Sequence, residues 1–244
     1  LEIREVEDES GGRYHVLLRA GREGVDFQAL PSTLEQLLAD RIHELPASEK
    51  AIVEWLAVAG GPLLLVDVRR LLRAPDDDDA VRLCARGLCD RKGDLLDFRH
   101  PLTRDVAYGA LSGPRRTRMH RELGELLARS SMARGITAAI VARHLARGDA
   151  PARASAFYLE AAYAARASYQ TTLAVRYFQR ALSCLPKDDP RRVQVHEALE
   201  AVFRMLGRRK ERVRQLDALR IAAREHGSPR SVALALLRTA RFYQ

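Results

Sequence analysis

The sequence has few of the features that mark a secreted or membrane protein. Its unbroken apolar runs, such as residues 63–66, are far short of the roughly 20 residues that cross a bilayer. Three cysteines in 244 residues are too few for a disulfide framework. The chain has no signal-peptide pattern. We therefore expect a protein of a reducing, cytoplasmic compartment with no membrane contact.

The sequence also lacks the residue sets that carry catalysis. Seven histidines are scattered along it, and no Ser, Cys or Lys nucleophile lies in a motif with a histidine and a carboxylate. Residues 63–67 have the form of the strand and acid that hold magnesium in P-loop ATPases. However, no glycine-rich loop ending in Lys-Ser or Lys-Thr accompanies them. We expect no catalytic residue and no cofactor in this segment.

Two residue pairs are candidates for a metal site or an acid-base pair, and we favour a structural role for both. Cys84 and Cys89 have no second Cys or His pair at ligand spacing, so we interpret them as buried free thiols and expect no metal. His100 precedes one predicted helix and His120 lies on the next. We interpret these two histidines as a structural pair that ties the helix ends together, not as an acid and a base.

Positive and negative side chains are unequally distributed. The net charge is +9, but residues 1–112 hold 15 basic and 21 acidic side chains, a net charge of −6. Residues 113–244 hold 26 basic and 11 acidic side chains, a net charge of +15. The two halves are therefore suited to electrostatically different partners.

The two ends of the chain favour a piece of a longer polypeptide. The sequence begins at Leu1 without methionine, and its last helical pattern runs almost to Gln244. Residues 1–29 alternate loosely and contain Gly11, Gly12 and further glycines. We interpret them as a hairpin or connector from a preceding domain.

Residues 30–112 predict a winged-helix domain. A capping box of Ser32 and Glu35 opens a helix with an apolar stripe at helical spacing. A second helix starts near Ser48 and ends at residues 60–62, and short helices follow at 66–72 and 80–89. Residues 88–90 and 95–99, joined by a turn at 92–94, then predict a two-stranded wing.

Four aspartates, residues 76–79, precede the last of these helices. Carboxylates at a helix N-terminus complement the positive end of the helix dipole, so we interpret them as a charged cap and not as a metal site. A winged helix that reads DNA lays this helix in the major groove, where phosphates require basic side chains. The acidic run, Asp90 and the negative charge of this half therefore oppose DNA binding by the domain.

From Gly113 onward the pattern is entirely helical. Residues 113–149 predict linking helices, and residues 150–244 predict paired helices separated by glycine and proline, incomplete at the C-terminus. Helix pairs at this spacing bury their apolar faces only by stacking on neighbouring pairs. The predicted fold class is therefore all-α, with a winged-helix domain and small β-hairpin wing followed by an α-solenoid.

One helix pair matches the pattern of a tetratricopeptide repeat (TPR). The aromatic, small and proline positions of its two helices are held by Tyr158, Ala162, Ala174, Phe178, Ala181 and Pro186. Small residues let the helices cross closely while the aromatic rings fill the gaps between them. Ala165 stands where the repeat usually has tyrosine. The next pair, about 190–227, keeps the helix lengths but loses most of the signature, so we interpret it as a degenerate repeat.

The strongest basic cluster lies at a predicted turn between repeat helices. Its members are Arg208, Arg209, Lys210, Arg212 and Arg214. A solvated helix surface and a partner-binding patch both remain open for this cluster. The nearby aromatic residues sit at packing positions, so they do not favour a platform for stacking nucleic-acid bases.

Residues 30–186 resemble the region downstream of the nucleotide-binding domain in bacterial STAND-type signalling ATPases. In such proteins a winged helix follows the ATPase core, and repeats follow the winged helix. Examples are large regulators, cyclase-linked ATPases, and serine/threonine kinases with a predicted ATPase half. The residues that carry the resemblance are Leu30, Pro31, Leu34, Arg41, Leu45, Gly60, Phe98, His100, Val106, Tyr108, Leu111, Arg118, His120 and His144.

The resemblance implies a non-catalytic, regulatory segment. Its winged helix would pack on a preceding ATPase domain of the same chain and help to hold the resting state, while its repeats would receive a protein or peptide partner. Any ATPase or protein kinase activity of the parent chain would lie outside these residues. The alternative function is a nucleic-acid-binding regulator that uses the basic repeats, although nucleic acid is the less favoured partner.

Overall fold

The computed structural model describes residues 2–7, 13–18, 33–73, 78–134 and 138–243. Twelve helices and two small antiparallel sheets lie within these ranges, which confirms the predicted all-α class. The chain divides into two compact units. Unit 1 is Leu1–Ser112 and unit 2 is Gly113–Gln244.

Unit 1 begins with a hairpin of two strands. β1 (Glu2–Glu7) pairs antiparallel with β2 (Arg13–Leu18), in a register that sets Glu2 opposite Leu18. The remainder of the predicted connector, residues 19–29, lies outside the described residues.

The first helix of unit 1, α1 (Leu34–His43), has a different cap from the predicted one. Thr33 is the N-cap, and its Oγ1 accepts a hydrogen bond from the Gln36 amide at 3.2 Å. The predicted capping box of Ser32 and Glu35 is therefore wrong by one residue, and Ser32 lies outside the described residues. Both hydroxyl residues can satisfy a free amide of the first turn, so the sequence alone does not decide between them.

The central helix of unit 1 is α2 (Ala47–Ala59). Its Val53 and Leu56 side chains are fully buried and Trp55 is nearly so, and each such side chain contributes about 1.5–3 kcal/mol to folding. The helix ends at Gly60, whose φ of 70° is a left-handed conformation that glycine adopts without strain.

The predicted two-stranded wing is present, and a third short strand extends it to a three-stranded sheet. The chain passes from β3 (Leu63–Leu64) through α3 (Leu65–Leu72) and α4 (Asp78–Ala85) to β4 (Cys89–Lys92) and β5 (Leu95–Phe98). The strand order is β3-β5-β4, antiparallel throughout. β3 was not predicted because two residues are too few to show an alternating pattern.

The helix α4 is shorter than the predicted helix 80–89. It ends at Ala85, Gly87 turns the chain with a φ of 73°, and Cys89 already belongs to β4. Asp78 and Asp79 lie within the first turn of α4, where their charges complement the helix dipole. Asp76 and Asp77 lie outside the described residues. α5 (Pro101–Ala110) then packs on α1 and α2 and completes unit 1.

Unit 2 consists of helices that pack mainly on their neighbours in sequence. They are α6 (Gly113–Arg134), α7 (Ala138–Arg147), α8 (Pro151–Ala167), α9 (Thr171–Cys184), α10 (Arg191–Met205), α11 (Arg209–His226) and α12 (Pro229–Tyr243). Helices joined by short turns and stacked in this way form an α-solenoid.

The helix pair α8 and α9 packs as the repeat pattern predicts. Ala162, Ala174, Phe178 and Ala181 have no solvent exposure, and Tyr158 is nearly buried. The Tyr163 ring meets the Phe178 ring edge-on, with their centroids 5.2 Å apart. Pro186 follows the end of α9 and cannot extend it. The small and aromatic positions therefore form the contact between the two helices.

Residues 113–149, which were expected to link the domains, form a closely packed helix pair of their own. A Cβ atom at Gly148 would lie 2.5 Å from the backbone of Arg121, so only glycine fits where the end of α7 meets α6. Arg121 Nε donates to the Gly148 carbonyl at 2.7 Å, and Arg121 Nη2 donates to the Asp149 carbonyl at 2.7 Å. One arginine of α6 thus satisfies two carbonyls beyond the end of α7.

Candidate functional site

The five residues of the predicted basic cluster, at the turn between α10 and α11, lie in two different environments. Arg208, Lys210 and Arg214 are exposed. Arg212 instead donates through Nε to the buried carboxylate of Glu200 at 2.7 Å. Arg209 is exposed, yet its guanidinium lies 4.4 Å from the centre of the Phe242 ring. A partner can therefore meet three of the five charges without disturbing internal contacts.

Glu200 is the centre of an ion-pair network that joins three helices. Its side chain is 1% exposed, and Arg238 of α12 donates through Nη1 to its second oxygen at 2.6 Å. Arg238 Nη2 also donates to Glu197 at 2.6 Å. The Arg212 guanidinium lies 4.9 Å from the centre of the Phe242 ring. These residues connect α10, α11 and α12, so Arg212 has a structural role.

His120 forms a buried pair, but with His144 and not with His100. The two Nδ1 atoms are 2.9 Å apart and both side chains are almost fully buried. Burial, with the positive charges of Arg143 and Arg147, lowers the pKa of His120 to about 4 and that of His144 to about 3. Both rings are therefore neutral at pH 7, one donating and the other accepting. His100 is the N-cap of α5 in unit 1.

An arginine-lined cavity lies between α7, α8 and α9. Arg143 and Arg147 are four residues apart on α7, and Arg176 and Arg180 are four apart on α9, a spacing that puts each pair on one helix face. All four arginines line a cavity of about 560 Å³, together with Tyr158 and Tyr177. No carboxylate is among the described residues that line it. The cavity is therefore a concentrated positive site.

The two tyrosines of the cavity stack on each other. Their ring centroids are 6.5 Å apart and their planes are inclined by 28°. Burial raises the pKa of Tyr158, so its phenol stays protonated and can donate a hydrogen bond. The cavity thus combines flat apolar surface with charged and neutral donors, a set suited to an anion.

The cavity was not among the sequence-predicted sites. It arises where three helices meet, and packing of that kind has no signal in a single stretch of sequence. The arginine pairs at 143/147 and 176/180 were a usable signal, because both fall at the i, i+4 spacing within predicted helices.

The winged-helix unit offers no comparable basic surface on α4. Arg82 Nε donates to the buried carboxylate of Glu49 at 3.1 Å, and Arg86 Nε forms an ion pair with the same carboxylate at 3.0 Å. Arg82 also pairs with Asp79, which accepts from the Ser48 hydroxyl at 3.0 Å. The arginines on and just after α4 are thus engaged inside the unit, and the absence of DNA binding there stays a prediction.

The cysteines are free thiols, two of them partly exposed and one buried. Burial raises the pKa of Cys89 to about 12, so this thiol stays protonated and unreactive. Across the described ranges, no group of three or more His, Cys, Asp or Glu side chains is placed to hold a metal ion. No helix within those ranges is both long enough and apolar enough to cross a membrane.

A scan against protein-family models and a search of curated proteins both found no match. Among solved structures, the chain is similar to a signal transduction ATPase with numerous domains (STAND) from Pyrococcus horikoshii, a protein with a tetratricopeptide repeat sensor. The two are 14% identical, with a TM-score of 0.35 over 88% of this chain. The match spans 37% of that protein's length. At this TM-score the likeness carries no argument about function.

Proposed function

We propose that the chain is a non-catalytic regulatory and protein-interaction segment of a larger STAND-type signalling ATPase. The observation that carries the proposal is the series of stacked helix pairs, including the repeat-like α8 and α9, that follows a winged helix in the chain. Repeat arrays of this kind expose extended surfaces to partners. The sequence resemblance over residues 30–186 supplies the link to signalling ATPases.

The partner of the repeats is an acidic protein or peptide. Unit 2 has a net charge of +15, and Arg208, Lys210 and Arg214 are exposed at its α10–α11 turn. Complementary charge raises the rate of encounter and suppresses partners of like charge. The three free thiols fit a reducing compartment for this interaction.

Regulation follows if partner binding favours one of two arrangements of the parent chain. The winged helix would hold a preceding ATPase domain in its resting state, and a partner with higher affinity for the active arrangement would shift the balance. Any ATPase or kinase activity belongs to the parent chain and not to this segment. The upstream gene sequence tests this step directly, because a parent gene without a nucleotide-binding domain would remove the assignment.

Partner binding is tested by charge reversal at the exposed residues alone. The variant is Arg208→Glu/Lys210→Glu/Arg214→Glu, which leaves Arg209 and Arg212 in their contacts with Phe242 and Glu200. A charge-matched control is Lys187→Glu/Arg230→Glu/Arg241→Glu, three exposed positions elsewhere in unit 2. Proteins captured from nuclease-treated lysate are identified by mass spectrometry.

We expect the wild type and the control to retain acidic partners that the variant loses. Identical partners for all three proteins would show that the α10–α11 turn is not the binding surface. Retention that disappears when nuclease is added would favour the alternative, a nucleic-acid-binding regulator, whose affinity should also fall steeply with salt.

A further inference from the structure

The cavity between α7, α8 and α9 holds a concentration of positive charge. Among the described residues, no ion pair involves Arg147, Arg176 or Arg180, and no carboxylate lines the cavity. Elsewhere in unit 2, arginines such as Arg153 and Arg191 pair with nearby carboxylates at 3.0 Å and 2.7 Å. Three arginines without a carboxylate partner among the described residues therefore converge on one cavity.

The mutual repulsion of these charges bears on the pKa values of neighbouring groups. The pKa of Arg143 is lowered, by burial first and then by Arg147. The same two arginines add to the lowering of the His144 pKa. An anion in the cavity would relieve this repulsion, and the relief would add to its binding free energy.

A phosphate group matches the cavity better than a single carboxylate does. A phosphate monoester carries about −1.5 to −2 charges at neutral pH and three acceptor oxygens, whereas one carboxylate carries a single charge and two oxygens. Guanidinium groups bind either anion bidentately, and those of Arg147, Arg176 and Arg180 can share the phosphate oxygens.

The size of the cavity indicates that the phosphate belongs to a larger molecule. Its volume of about 560 Å³ lies within the range of about 300–1,000 Å³ typical of small-molecule sites. Inorganic phosphate would leave most of that space to water. The stacked rings of Tyr158 and Tyr177 supply apolar surface for an organic group.

We propose that this cavity is a binding site for a small organic phosphate, with Arg147, Arg176 and Arg180 holding the phosphate and the tyrosine pair contacting the organic group. The site goes beyond the proposed partner surface, since it lies on different helices from the α10–α11 turn. A bound phosphate would bridge α7 and α9, and therefore connect two successive helix pairs of the array.

The test is isothermal titration calorimetry of the full 244-residue chain. The probes are three phosphate monoesters with different organic groups (AMP, glucose 6-phosphate and glycerol 3-phosphate), together with inorganic phosphate, citrate and a glutamate-rich peptide. The variant Arg147→Gln/Arg176→Gln/Arg180→Gln removes three cavity charges at exposed positions. The control Arg129→Gln/Arg224→Gln/Arg230→Gln removes three exposed charges elsewhere. Circular dichroism verifies that both variants fold.

We expect saturable binding of at least one monoester, tighter than that of inorganic phosphate. Because the variant loses several charge-assisted hydrogen bonds, its Kd should rise by at least about tenfold. The control should change by less than about threefold, as exposed charges do.

Three results would overturn the proposal. They are the absence of saturable binding by every monoester, an equal loss of affinity in the control, and tighter binding of citrate or the glutamate-rich peptide than of any monoester. None of these results affects capture of a protein partner at the α10–α11 turn, so the two proposals fail separately.

Discussion

Glu200 is a single carboxylate on which three helices depend. Replacing it in Glu200→Gln leaves Arg212 and Arg238 without their buried counter-ion. Breaking a buried ion pair of this kind costs about 3–5 kcal/mol, and somewhat less here because both arginines are partly exposed. We expect a clear fall in the urea midpoint of unfolding. The exposed Glu160→Gln is the control, and a Glu200→Gln midpoint equal to that of the control would show that the network adds no stability.

The His120 and His144 pair makes stability depend on acidity. Unfolded histidines bind protons near pH 6.5, whereas the folded pair does so only near pH 4 and pH 3. The unfolded state therefore binds more protons between these limits, and stability, fully present above pH 6.5, falls as the pH drops. The free energy of unfolding then falls by up to about 1.4 kcal/mol per pH unit for each histidine.

The variant His120→Gln/His144→Gln tests this dependence through urea unfolding between pH 7.5 and pH 4.5. We expect a shallower loss of stability on acidification than in the wild type. The control is His43→Gln/His100→Gln, at two exposed positions. If the wild type and the His120/His144 variant have parallel pH profiles, the buried pair is not the source of the acid sensitivity.

The contact between α6 and the end of α7 depends on one glycine. Gly148→Ala would place a Cβ atom 2.5 Å from the backbone of Arg121, and that backbone can move only with α6. Overpacking of this kind costs about 1–3 kcal/mol, so we expect a lower melting temperature for unit 2.

Gly109 is the matched control, because the same substitution there should not lower stability. Gly109 lies inside α5 with no atom within 4 Å of an added Cβ. Gly109→Ala should be neutral or stabilise unit 1 by up to about 1 kcal/mol, because alanine favours the helix. Differential scanning calorimetry measures both variants. A Gly148→Ala protein as stable as the wild type would show that α6 moves aside without cost.

The helices were more predictable from the sequence than the short elements between them. Repeating apolar stripes specify α8 to α12, because each turn adds another residue to the pattern. The two-residue strand β3 has no such repetition, and its partner Leu96 lies more than thirty residues along the chain. The cap at Thr33 was missed because two adjacent hydroxyl residues satisfy the same rule.

The candidate sites were less predictable than the helices. The basic cluster is visible in the sequence, but the sequence does not show which of its residues are exposed. Arg212 is engaged by Glu200 and Phe242, which lie 12 and 30 residues from it along the chain. The pairing of His120 with His144 depends on the antiparallel contact of α6 with α7. The arginine cavity needs three helices in place before its charges converge.

The two units of the molecule should fold separately, since each has its own buried core. We expect the fragments 1–112 and 113–244 to give cooperative thermal transitions. At pH 7 the first, with a net charge of −6, should bind an anion exchanger, and the second, at +15, a cation exchanger. Circular dichroism and ion-exchange chromatography measure these properties. A fragment 113–244 without a cooperative transition would show that the repeats require unit 1.

The neighbour-to-neighbour packing of unit 2 has a consequence for the order in which it forms during synthesis. Contacts between adjacent helices close short loops, so α6 to α9 can fold before the later helices are made. Until α12 supplies Arg238, Glu200 has Arg212 alone as its buried counter-ion. A chain truncated after Ser228 should therefore retain hydrogen-exchange protection in α6 to α9 and lose it in α10, and uniform protection would contradict this order. α12 thus completes the charge balance of α10, which is synthesised two helices earlier.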